Sequence, residues 1–225
     1  MTLDVFLQQN NITLSEPVLT LCVQALEKMH TSIDSYHNDE HIFRMIDDLN
    51  ILLKEEADLK AKINSDILML ALCWHDVWKS KRIPHNKWHF FHDQWWDGMG
   101  SLRMLKKAVN DKNIDKNLVE KANYAIRKHS YFQIFPLRTL EAKILRDIDS
   151  LDIWSLERVE PMRQEYLYPQ PNPQMIKFWL FILNHFMVKE SVSEYYFSWT
   201  KSEAMRRKKI FIDEVTRVLE EENLL

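Results

Sequence analysis

A chain of 225 residues, 46% hydrophobic and 28% charged, has the composition of a globular protein and can bury a core without disulfide staples. Its net charge of −3 gives no bulk attraction to nucleic acid, so no nucleic-acid partner is expected. Only two glycines, Gly98 and Gly100, are present; this excludes a Gly-rich phosphate loop or dinucleotide fingerprint and disfavours the tight turns of a β-rich fold. The expected fold class is all-α.

Apolar residues recur at helical spacing along nearly the whole chain. A short helix is expected at about 3–10, and Ser15-Glu16-Pro17 opens another that runs to about Met29. The next covers about 38–56. The segment 65–79, "SDILMLALCWHDVWK", opens at Ser65 and is apolar nearly all round, as a buried helix is. A polar loop with Pro84 follows at about 80–90, then helices at about 91–109, 115–129, 137–153 and 155–167. The prolines of "YPQPNPQ" break the pattern, which resumes at about 175–188 and again at about 200–222. The whole, residues 1–225, is expected to be one helical domain.

The longest apolar stretch, "MIKFWLFILNHFMV", carries Lys177 and His185 and is too short to span a bilayer. The first residues lack the basic and apolar regions of a signal peptide. Cys22 and Cys73 are the only cysteines, which fits a reducing compartment. A cytoplasmic protein without a membrane partner is therefore expected.

Three clusters carry chemistry. His37 and His41 stand one helical turn apart in "YHNDEHIF". His41 lies at the edge of the stripe of Ile42, Met45, Ile46, Leu49, Leu52 and Leu53, whereas His37 lies further out. His75 and Asp76 end an otherwise apolar helix, where an imidazole and a carboxylate are costly to bury unless they pair or bind a cation. A second His-Asp dipeptide, His92-Asp93, sits in a polar stretch that can face water. In "ILRDIDSLDIW" three aspartates share a helix whose core face is Ile144, Leu145, Ile148 and Leu151. By wheel angle Asp152 lies closest to that face, Asp149 flanks it, and Asp147 beside Arg146 reads as a solvated edge. Together these give a mixed nitrogen and oxygen donor set suited to Mn²⁺, Fe²⁺, Zn²⁺ or Mg²⁺. A thiolate-free set of this kind is more often catalytic than structural.

The order His41, then His75-Asp76, then Asp149 in "DIDSL" resembles the H…HD…D signature of the HD-domain metal-dependent phosphohydrolases, over about residues 30–155. Helices from about 155 to 225 would pack on that core. "YHNDEHI" also resembles the HNxxH box of cyclic-nucleotide phosphodiesterases. The resemblance implies a helical bundle of the HD type. It implies a divalent metal held by His41, His75, Asp76 and Asp149, with Asp76 also catalytic and His37 the general acid. The wheel reading prefers Asp152 as the fourth ligand, and both stand. Gly98 falls where the subgroup often carries an acidic residue, and His85, His89 and His92 exceed the pattern. His89 and His92 are secondary candidates for a metal, and His129 sits near a further family histidine.

The implied reaction is metal-dependent hydrolysis of a phosphate ester, of nucleotide-like type, with Lys79, Arg127, Lys128 and His129 contacting phosphate. Trp78, Trp88, Trp95 and Trp96 surround the expected mouth, while Trp74 reads as core. Two alternatives remain: a di-iron oxygenase on the same fold, or a module that binds a nucleotide or a partner without catalysis. The run "RRKK" at 206–209 is followed at once by acidic residues and reads as a solvated helix face.

Overall fold

The computed structural model describes residues 1–34, 36–81, 87–110, 112–129, 136–167, 174, 176–177, 181 and 195–222, with the side chains of 87–95, 97 and 165–167 outside that description. Among the described residues all regular secondary structure is helical. The α-helices are α1 (Leu3–Gln9), α2 (Glu16–His30), α3 (Asp39–Glu55), α4 (Leu59–Lys62), α5 (Ser65–Trp74), α6 (Lys87–Val109), α7 (Lys116–Lys128), α8 (Leu140–Asp152), α9 (Val159–Leu167) and α10 (Ser198–Glu221). Short 3₁₀ turns lie at Lys79–Lys81 and Leu156–Arg158. The one-turn helix α4 has no counterpart in the expected elements. The helix expected at 175–188 lies mostly outside the described residues. Among the described residues no helix is long and apolar enough to cross a membrane.

The chain divides into two compact units, Met1–Asp149 and Ser150–Leu225. At the centre of the first stands α5, whose residues from Ile67 to Trp74 are all buried. It packs against α2, α3, α6 and α7, which is why its sequence is apolar on every face. Each buried Leu or Met contributes about 1.5–3 kcal/mol. The Trp74 indole fills the core and donates its N–H to the Leu21 carbonyl at 2.9 Å.

Caps set where the site-bearing helices begin. Asn38 caps α3, its side chain accepting the His41 N–H at 3.1 Å, a bond worth ~1 kcal/mol. Asp39 and Glu40 favour the same helix end through its dipole. Asn64 caps α5 by accepting the Ile67 N–H; Ser65 is the first helical residue, not the cap. Also, α5 ends at Trp74 rather than near Lys79. The His75 ring Nδ1–H donates to the Leu72 carbonyl at 2.8 Å, and a turn carries the chain to Lys79.

Both glycines permit close approach of α6. A Cβ on Gly98 would stand 2.9 Å from the Ile126 carbonyl oxygen, and one on Gly100 would lie 2.3 Å from Trp78 Cγ. The buried hydroxyl of Ser101 accepts the Trp78 N–H. This run of small residues brings α6 against the turn after His75-Asp76 and against the end of α7.

In the second unit, Trp154, Val159, Ile176, Phe211, Val215, Val218 and Leu219 form a core. Trp154 and Phe211 meet edge to face. On the outer surface of α10, Glu203 pairs with both Arg206 and Arg207.

Candidate metal centre

The end of α5 and the flanking helices bring four side chains from distant segments together. Ligand atoms of His41, His75, Asp76 and Asp149 all lie within 4.8 Å of one another, and this group could hold a metal ion. His41 sits in the first turn of α3, directly above its Asn38 cap. His75 and Asp76 follow the last residue of α5. Asp149 comes from the last turn of α8. The two Nε2 atoms of His41 and His75 are 3.1 Å apart. Asp149 Oδ1 is 3.6 Å from each of them. Asp76 Oδ2 is 3.4 Å from His75 Nε2 and 3.9 Å from His41 Nε2.

These spacings fit a cation. Two ligands each about 2.0–2.2 Å from one ion stand roughly 3–4 Å from each other. The proton inventory points the same way. A carbonyl only accepts, so His75 donates from Nδ1 to Leu72, and Nε2 of the neutral ring is a lone pair. That lone pair faces a second imidazole nitrogen and two carboxylate oxygens. Either the rings take extra protons or a cation sits among them, and metal ligation requires the deprotonated form. The donor set of two nitrogens and two oxygens suits Mn²⁺, Fe²⁺ or Zn²⁺.

Burial is graded across the cluster. His41 and His75 are fully buried and Asp76 nearly so, whereas the side chains of Asp149 and His37 are 18% and 17% exposed. Asp149 and His37 are therefore the members that reach solvent. Here His37 precedes the α3 cap. Its Nε2 lies 3.5 Å from Asp76 Oδ2, while its Nδ1–H donates to Asp34 Oδ2 at 2.7 Å.

Asp34 is the site residue that sequence reasoning missed. It is buried, and its other oxygen accepts the Tyr36 N–H at 2.8 Å. Burial alone would push its carboxyl up; the His37 charge and hydrogen bond, the Tyr36 N–H and the Lys79 charge outweigh this and lower it. Its position three residues before His37 was the only available signal. The same balance acts at Asp76. Burial opposes ionisation there, but the Lys79 ammonium foremost, then His75, His37 and His129, hold the carboxyl well below the ordinary range. Asp149 is also held low, against burial, by the His75 hydrogen bond and the charges of His75 and His129.

Of the expected phosphate contacts, Lys79 and His129 join the cluster through Asp76. The Lys79 ammonium lies 3.1 Å from Asp76 Oδ1 and 3.2 Å from Oδ2. His129, the C-cap of α7, points Nε2 at Asp76 Oδ1 from 3.4 Å. Lys128 is half-buried and Arg127 exposed on the last turn of α7. The side chains of His89 and His92 on α6, and all of His85, lie outside the described residues.

One reading of α8 is corrected, that of Asp147, while Asp152 lies outside the group of His41, His75, Asp76 and Asp149. Asp152 is fully buried, and the Arg158 guanidinium grips its Oδ2 through Nε at 2.7 Å and a terminal nitrogen at 2.6 Å. Asp147 is also buried rather than a solvated edge, because it shares the stripe of Ile144, Ile148 and Leu151 at three- and four-residue spacing. No protein-family model, curated protein or solved structure matches this chain.

Proposed function

We propose that the chain is a metal-dependent phosphoester hydrolase of the HD type, acting on a small nucleotide-like substrate in the cytoplasm. The observation that carries this reading is the placement of His37. Its partly exposed ring stands beside the four-ligand group, one nitrogen facing Asp76 and the other held by Asp34. A structural metal site has no use for an oriented imidazole beside its four ligands, whereas a site that must protonate a leaving group does.

The roles follow from the contacts. His41, His75, Asp76 and Asp149 would hold a divalent ion, which supplies activated water at neutral pH and neutralises charge on a phosphoryl oxygen. The Leu72 carbonyl fixes the His75 tautomer, so that its Nε2 lone pair faces the ion's position. Asp34 fixes the His37 ring in the same way. The protonated His37 ring hands the Nε2 proton to the departing oxygen. Lys79 keeps Asp76 ionised, and the buried walls of α3, α5 and α7 exclude bulk water behind the reacting groups.

The test is metal analysis of the purified chain beside an activity panel of phosphomonoesters and phosphodiesters, including nucleotides and cyclic nucleotides, with Mn²⁺, Mg²⁺, Fe²⁺ and Zn²⁺. His37→Ala should keep its metal and lose about 10²- to 10⁴-fold in rate. Bound metal with no phosphate ester cleaved, or an active His37→Ala chain, would remove the assignment.

A further inference from the structure

The Asp76 carboxylate faces two ways. Oδ2 looks toward His41, His75 and His37. Oδ1 lies 3.4 Å from His129 Nε2, and the Lys79 ammonium spans the carboxylate, 3.1 Å from Oδ1 and 3.2 Å from Oδ2. A carboxylate so placed, with an imidazole beyond it, is the arrangement that could bridge to a second metal ion. Here a lysine nitrogen already stands at Oδ1.

Lys79 is held there by the fold. Its side chain is nearly buried and its own N–H donates to the Asp76 carbonyl at 2.9 Å. The next residue anchors the turn to the segment that carries Asp34: the Ser80 carbonyl accepts both the Ile33 N–H at 3.0 Å and the Ser32 hydroxyl at 3.2 Å. The Ser80 hydroxyl donates to the Val77 carbonyl.

One ion suffices for the charge. Asp34, Asp76 and Asp149 bring three negative charges, and Lys79 returns one. A single divalent ion with neutral His41, His75 and His129 cancels the remaining two, and the proton on His37 already carries the group to one positive charge. A second divalent ion would add two positive charges beside an ammonium, among side chains shielded from water, where like charges repel strongly.

We propose that Lys79 is a built-in cation that takes the place of a second metal ion and specifies a centre with one divalent ion per chain. The inference rests on the metal reading of the site and adds its nuclearity and what sets it. Removing the ammonium should open the Asp76 Oδ1 and His129 Nε2 side to a second ion.

The experiment strips the full chain with a chelator, reloads it with Mn²⁺ or Zn²⁺, and counts ions per chain by elemental analysis and calorimetric titration. Lys79→Met, which keeps the packed stem, is compared with Lys79→Arg and the parent, each checked for folding by circular dichroism. The parent and Lys79→Arg should bind one ion, and Lys79→Met should bind two. Two ions in the parent overturn the proposal whatever the variants do, and so does one ion in Lys79→Met. A parent chain that binds none fails differently, because it removes the metal site on which the inference stands.

Discussion

Metal binding at this centre should appear as fold stability, and Asp149 is the ligand on which to test it. His41 and His75 are separated by 34 residues, and Asp149 comes from a third segment. An unfolded chain does not gather these donors, so the binding free energy goes to the native state. At a free ion concentration of about 100 Kd the gain is about 2.7 kcal/mol. For a chain of this length each kcal/mol moves Tm by about 2–4 °C, so loading Mn²⁺ or Zn²⁺ into the stripped protein should raise Tm by about 5–11 °C. Asp149→Asn keeps the shape of the side chain and removes its charge. Loss of a supporting partner alone weakens metal affinity about 10- to 100-fold, and loss of a ligand should do at least as much. With affinity ~100-fold weaker, the same ion concentration half-fills the site and yields about 0.4 kcal/mol, or about 1–2 °C.

Differential scanning calorimetry of the two proteins, stripped and reloaded, reads both shifts. An equal rise in the parent and in Asp149→Asn would place the ion elsewhere. No rise in the parent with any of Mn²⁺, Fe²⁺, Zn²⁺ or Mg²⁺ would mean that the four side chains meet for another reason.

Asp152→Asn should behave in the opposite way. It leaves the Arg158 guanidinium without its carboxylate and should lower stability by about 3 kcal/mol in urea titrations, yet keep the full ion count; a loss of metal would restore Asp152 as a ligand. Acid dependence is the other check, measured on stripped protein. The carboxyls of Asp34, Asp76 and Asp149 are all lowered by folding, so their stabilisation is fully present above about pH 5 and fades as pH falls through and below about 4. The stability difference between the parent and Asp34→Asn should therefore shrink as pH falls from 5 toward 3. A difference that grows over that range would reverse the sign of the carboxyl shift.

Much of the centre was legible because burying charge is expensive. The His75-Asp76 pair stood out because the helix before it had no polar face to offer. His41 stood out at the edge of an apolar stripe. What stayed hidden was whatever depended on a partner outside the local period. Apolar pattern runs past Trp74 through Val77, so periodicity carried α5 to Lys79; the helix stops earlier because an imidazole takes the Leu72 carbonyl. Asp34 lies in an irregular segment, where neither period applies.

The choice between Asp149 and Asp152 shows the same limit most sharply. The wheel ranked Asp152 as closer to the core, and on burial it was right: Asp152 is fully buried while the Asp149 side chain is 18% exposed. Depth, however, does not identify a ligand. A carboxylate can be buried because a guanidinium six residues onward meets it, as Arg158 meets Asp152. The motif order picks out Asp149, the aspartate that lies with His41, His75 and Asp76, because order along the chain encodes which residues converge, whereas the wheel encodes only which face of one helix is turned inward.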